Sequence, residues 1–303
     1  MLSIALAVLA AMANAAASVL QRKADRDEPE GGAGSGLRML WHLAHKPVWF
    51  AGIAAIIVGF LLQAGALATG PITLVQPILV LELGFTLLLA AVVFHSRLYT
   101  REWTAVGGMT IGLALLLYSL QPSGGDRHAA SPTLWAIAIA VTLAIAVVFI
   151  ALGYRGHHAR RAAYLGLATG TGFGLIASLV AGITTAYAGG GVGGVFTAWQ
   201  TYLVIVLGPL FFFLLQKTMQ AGRLVASQPA LTLANPIVAF GIGITIFGEH
   251  VRTGGWAAGA AMGAVLIAGC TLLLARSPLL DADDARDPTA VRKAPPEPSR
   301  PPA

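Results

Sequence analysis

Phe60-Leu61-Leu62-Gln63, then Gln76-Pro77, then Trp103 return later in the chain as Phe213-Leu214-Leu215-Gln216, Gln228-Pro229 and Trp256, at offsets of 153, 152 and 153 residues. Three short matches in order and at nearly constant spacing mark a duplicated unit. Each copy is embedded in apolar sequence. Windows of about 20 nearly uncharged residues recur, and at about 1.5 Å rise per residue such a window crosses a hydrocarbon layer of about 30 Å. Nine spans are read, near 2–20, 48–68, 72–94, 103–120, 132–153, 162–186, 195–216, 224–247 and 255–275. The duplication pairs spans one to four with spans six to nine, and the single fifth span reverses the second copy. The predicted fold is all-α, a polytopic membrane protein of nine transmembrane helices in two inverted four-helix repeats joined by one helix. Inverted repeats recur in secondary transporters, whose solute site lies near the membrane midplane between the halves.

The domain reading follows. Residues 1–120 form the first repeat, with a cytoplasmic loop at 21–47. Residues 121–161 hold the connecting helix and a basic loop, 162–275 form the second repeat, and 276–303 form a disordered cytoplasmic tail. The loop and tail are polar and rich in Gly or Pro, too poor in apolar surface to fold alone. Residues 37–47 suit a short interfacial amphipathic helix.

Composition agrees with a lipid environment. A 303-residue chain with 56% hydrophobic and 11% charged residues is no soluble domain of that size. The net charge of +6 does not imply nucleic acid, because the cations stand singly in short loops rather than along one face. Alternate loops place 17 of the 19 Lys/Arg on one side and only Arg127 and Arg252 opposite. The positive-inside rule then puts the N-terminus outside, the C-terminus in the cytoplasm and the chain in the plasma membrane. The Ala-rich stretch 10–17 offers signal-peptidase-like sites, but the first span lacks a basic n-region and meets Arg22 and Lys23 at its far end, so it reads as a span. Cys270 is the only cysteine, which excludes an intrachain disulfide or a cysteine-ligated metal.

Small residues four apart allow close helix approach in lipid. Ser3, Ala7, Ala11 and Ala15 form such a stripe on span one, and Gly166, Gly170, Gly174, Ser178 and Gly182 form one on span six. Gly108 and Gly112 on span four, with Gly255, Gly259 and Gly263 on span nine, offer further contacts. Span five is apolar all round apart from Thr142, as a lipid-facing connector would be.

The arrangement resembles the drug/metabolite transporter (DMT, EamA-like) superfamily, and the nine-span form is similar to its magnesium-transporter branch of the NIPA type. The likeness is carried by Val19-Leu20-Gln21-Arg22-Lys23, by the run from Ala66 through Gly70-Pro71-Ile72-Thr73-Leu74-Val75-Gln76-Pro77, by Arg101-Glu102-Trp103, and by 216–249. Where that branch carries an acid after the glycine of span two, this chain has Phe60 after Gly59, with Gln63 the nearby polar residue. The resemblance implies a transporter fold with a central cavity.

Of the 13 acidic residues only Glu82 falls deep within a span. A charge at that depth costs about 2.5–3.5 kcal/mol on insertion scales, so the side chain should face a cavity or a partner. It could carry a proton or, ionised, ligate a cation; a neutral Glu82 bonded between helices is the structural alternative. Pro77, Pro229 and Pro236 lack an amide donor and could act as paired hinges, freeing the carbonyls of Thr73, Val225 and Thr232; harmless kinks are the alternative. Gln228, Thr232 and Asn235 share one helical face, as do Asn14, Ser18 and Gln21, and Glu82 and Thr86. With Gln63, Gln76, Gln200 and Gln216 they could line a cavity, although inter-helical hydrogen bonding accounts for any single one. Glu249 is placed near the outer mouth as an interfacial acid, and His157-His158 makes a poor metal site.

The leading expectation is a secondary transporter moving a small molecule or cation by alternating access in the lipid bilayer, with no cofactor and no bound metal, and with a homodimer admitted. A NIPA-type divalent-cation permease is the alternative within transport, although hard cations want several oxygen ligands. A non-transporting membrane scaffold is the second class. An intramembrane enzyme lacks any Ser/His/Asp, paired-Asp or His-rich constellation in the spans.

Overall fold

The computed structural model describes residues 1–26, 47–94, 98–125, 131–155, 158–221 and 224–275. Among these the chain is all helical, apart from one isolated bridge between Ser123 and His250. The elements are α1 (Leu2–Arg26), α2 (Pro47–Thr69), α3 (Ile72–Leu79), α4 (Leu81–Val93), α5 (Thr100–Leu120), α6 (Pro132–Arg155), α7 (His158–Thr197), α8 (Trp199–Gln220), α9 (Leu224–Thr245) and α10 (Trp256–Ala275). Among the described residues eight segments are helical, long and apolar enough to cross a membrane, with α3 and α4 together forming one of them. In lipid every backbone N–H and C=O must be satisfied within the chain, which is why such sequence can be only helix. The ninth window read from the sequence is α9. It is helical over 22 residues but is diluted by Gln228, Asn235 and two prolines, and it does not count among the eight. The amphipathic reading of 37–47 lies outside the described residues except for Pro47, as do most of the 21–47 loop and the whole tail 276–303.

Three boundaries differ from the sequence reading. The third span is not one helix. Pro77 cannot donate to Thr73, and at Val80 the chain tightens to a three-residue bond, with the Val80 N–H 3.2 Å from the Pro77 carbonyl, before α4 begins at Leu81. The sixth span runs past 186 to Gly191, where the backbone turns non-helical at φ +57° and ψ −146°, a conformation that suits a residue without Cβ, and a separate short helical stretch follows to Thr197. The seventh span consequently starts at Trp199 rather than 195.

The small-residue stripes are the packing seams. On α7, a Cβ on Gly166 would lie 2.6 Å from the Ser227 carbonyl, one on Gly174 2.6 Å from the Asn235 carbonyl, and one on Gly170 would strike the Leu231 carbonyl, so α9 rests backbone to backbone on α7. Gly182, the last of that stripe, meets Gln200 of α8 instead. On α1, Ser3, Ala7, Ala11 and Ala15 are all buried, and Ser3 fills the space over Gly70 at the end of α2. Helices α5 and α10 cross at Gly112 and Gly263, where each glycine's missing Cβ would sit within 3.0 Å of the other's carbonyl. Gly255 meets nothing there. Helix α6 buries Trp135, Thr142, Ala146 and Gly153, packs the half-buried Ala138, Ile139 and Leu143 against the core, and exposes Ile137, Val141, Ile145, Val147, Val148 and other apolar residues.

Candidate functional site

The break at Val80 positions the deep acid. Because α4 starts at Leu81 after the tightened turn at Val80, Glu82 falls in its first turn. The amide of Asn14 on α1 donates to the Glu82 carboxylate at 3.3 Å. Gly59 on α2 makes room for this pair, since a Cβ there would fall on the Asn14 side-chain oxygen. Helices α1, α2 and α4 therefore meet at Asn14, Gly59 and Glu82. Thr86 does not add to the carboxylate's partners; its hydroxyl donates to the Glu82 backbone carbonyl at 2.8 Å. Ser18 likewise donates back to the Asn14 carbonyl.

Two further buried polar side chains, Gln76 and Asn235, stand on α3 and α9, two helices that pack together. The start of α3 meets the end of α9, where a Cβ on Gly243 would lie 2.7 Å from Ile72 and 2.8 Å from Thr73, so the two helices run antiparallel. Counting inward at about 1.5 Å per residue places Gln76 about 6 Å below that end, and Asn235 and Glu82 both about 12–15 Å below it, near the middle of a layer of about 30 Å. Gln76 is 1% exposed, and neither its side-chain oxygen nor its nitrogen has a hydrogen-bond partner in the protein; the side-chain oxygen of Asn235 is likewise buried and unpartnered.

The remaining residues read from the sequence are placed less centrally. Gln63 is half-buried on α2, one turn from Gly59, and Thr232 is half-buried on α9. Gln228 reaches the Met219 sulfur at 3.8 Å. Gln216 is exposed near the end of α8 and is not brought to the others. Pro229 and Pro236 sit inside a helix that runs unbroken, so of the three prolines only Pro77 stands beside a break. Of the histidine pair, His157 lies outside the described residues.

Two buried acids were missed. Glu249, read from the sequence as an interfacial acid near the outer mouth, is 4% exposed rather than solvated and caps the start of α3, accepting from the Ile72 and Thr73 amides and the Thr73 hydroxyl. Its Gly-Glu-His setting between an apolar run and Arg252 reads as a surface turn, and partners 176 residues away leave no local signal. Glu102 is 2% exposed and accepts from the Tyr99 N–H at 2.6 Å, satisfying an amide at the start of α5. Gln200 does line a cavity. The space is about 270 Å³, lies between α6, α7 and α8 with Trp135, Thr185 and Phe247 on its wall, and is distinct from the Asn14–Glu82 pair. Among the described residues no cluster of His, Cys, Asp and Glu is assembled to hold a metal ion.

Membrane-length helices packed on glycine seams around buried polar side chains define a polytopic membrane protein. No family model and no solved structure matches the chain. It is 31% identical over 247 residues to a Corynebacterium glutamicum protein named Uncharacterized protein Cgl0250/cg0304, covering 79% of this chain and 83% of the relative. The chain belongs to the family of that protein.

Proposed function

We propose that the protein is a secondary transporter of the DMT type, with nine spans in two inverted repeats, carrying a small solute across the plasma membrane by alternating access. The observation that carries this reading is Gln76. A carboxamide 1% exposed with both polar atoms unpartnered by protein leaves about 1–3 kcal/mol of desolvation uncompensated, which a purely structural membrane protein has no reason to retain. Asn235 repeats the signature on the facing helix, and the Asn14–Glu82 pair stands at the same depth. Together these groups supply donors, acceptors and one acid on a path from Gln76, about 6 Å below the outer end, to Asn235 and Glu82 near mid-membrane, where an inverted-repeat site is expected.

Packing supports the repeat. Helix α1 packs on α2 and on α3 and α4, as α7 packs on α8 and α9, and the pairs α3 with α9 and α5 with α10 join the halves. The basic loops support an external N-terminus and a cytoplasmic C-terminus. Uptake into proteoliposomes, screened over small metabolites and Mg²⁺, tests the reading. A solute whose gradient-driven uptake is lost in folded Glu82→Gln protein is the expected result. Uptake unchanged by both Glu82→Gln and Gln76→Ala would sink it, and no uptake of any solute would favour a scaffold.

A further inference from the structure

On the face away from the basic loops, the turn that follows α9 grips elements of the other repeat. Both oxygens of Glu249 are engaged there: the Ile72 N–H donates at 2.7 Å, the Thr73 N–H at 2.9 Å and the Thr73 hydroxyl at 2.6 Å. One residue on, His250 and Ser123 exchange backbone bonds at 2.9 and 3.0 Å, and the Arg252 N–H donates to the Leu120 carbonyl at 2.8 Å. Two glycines make room for the acid. A Cβ on Gly243 would lie 2.8 Å from a Glu249 oxygen, and one on Gly125 2.9 Å from its Cγ.

We propose that Glu249 is the latch of the external gate, a positioning residue that holds the first turn of α3 against the α9–α10 turn and keeps the resting protein closed to the outside. The inference rests on the transport and topology reading above and deepens it. Charge-assisted bonds to amides at a helix N-terminus are among the stronger polar contacts available, and the helix dipole adds to them. The clasp stands one turn outward of Gln76, so a solute arriving from outside meets it before the unpartnered amides. The Glu249 bonds to Ile72 and Thr73 and the Arg252 bond to Leu120 join the second repeat to the first, and the Ser123–His250 pair ties it to the start of the connecting segment, so rocking the repeats apart on this side must break the first set and strain the second. The offset of 153 residues pairs Glu249 with Ser96, so the second repeat's acid has no acidic counterpart in the first. Closure is therefore favoured on one face of the membrane.

The test needs no identified solute. In a Cys270→Ala background, Gln76→Cys reports opening through its labelling rate with a membrane-impermeant maleimide applied from outside. Labelling is expected to be slow with the clasp intact and at least tenfold faster when Glu249→Gln is added. In that variant, closing a Ser123→Cys/His250→Cys disulfide before labelling should restore the slow rate. A hydrogen-bonded antiparallel pair holds its Cα atoms about 5.5 Å apart, within the disulfide range of about 4.4–6.8 Å. Unchanged labelling in Glu249→Gln overturns the proposal, as does fast labelling behind the disulfide. If Glu249→Gln fails to fold, Thr73→Val removes one donor and leaves the backbone bonds; two- to threefold faster labelling is then expected, and no change overturns the latch. A failed solute screen would leave this result standing, and a failed latch would leave the transport reading standing.

Discussion

At the scale of single residues, the buried polar groups divide by whether the protein satisfies them. Glu102 is satisfied, and Glu102→Ala should lower stability by about 0.5–2 kcal/mol through loss of the α5 cap, read as a lower midpoint of thermal unfolding in detergent. Gln76 is not satisfied, and the opposite outcome is expected: Gln76→Leu should stabilise the folded protein by about 1 kcal/mol or more while abolishing solute uptake. A Gln76→Leu protein that loses stability would show that the amide is structural. The polar positions Asn14, Gln76, Glu82 and Asn235 were legible in the sequence because each interrupts an apolar run, where a polar side chain is costly. Their pairing was not. Asn14 and Glu82 are 68 residues apart, and nothing local in either segment announces the other. Glu249 was misread for the same reason, since its partners come from the start of α3.

At the scale of elements, proline and glycine act through geometry that sequence shows only by halves. Pro77 and Pro229 both follow a Gln and lie 152 residues apart, yet the first precedes a break and the second lies in an unbroken helix. Pro77→Ala should therefore rejoin α3 and α4 and slow uptake, whereas Pro229→Ala should change it little; a comparison of initial rates in proteoliposomes checks this. The glycine stripe of α7 was readable from its four-residue spacing, because only close packing rewards such regularity in lipid. Which glycines bear the contact was not readable. Gly170→Ala places a Cβ against α9 and should cost about 1–3 kcal/mol, while Gly189→Ala, with open space around it, should be neutral or slightly stabilising. Equal unfolding midpoints for the two variants would contradict the packing described.

At the scale of the whole molecule, the helical architecture was legible because hydrocarbon permits so few structures, and the span ends were less so because caps, breaks and bends depend on neighbours. The topology proposed from the basic loops predicts a labelling pattern: Gly190→Cys, which meets no neighbouring atom, should react with impermeant reagent from outside, and Arg160→Cys, exposed at the opposite end of α7, should react only from within. Reaction of both from one side would refute the topology. The crossing of α5 and α10 has a further use. Cys270 lies buried in that crossing, its sulfur directly over Gly108, so the natural sequence carries a single thiol at the line where the two halves meet. If the halves rock as proposed, its alkylation by a small permeant reagent becomes a clock for how often α5 and α10 part, and a transported solute is expected to change the rate.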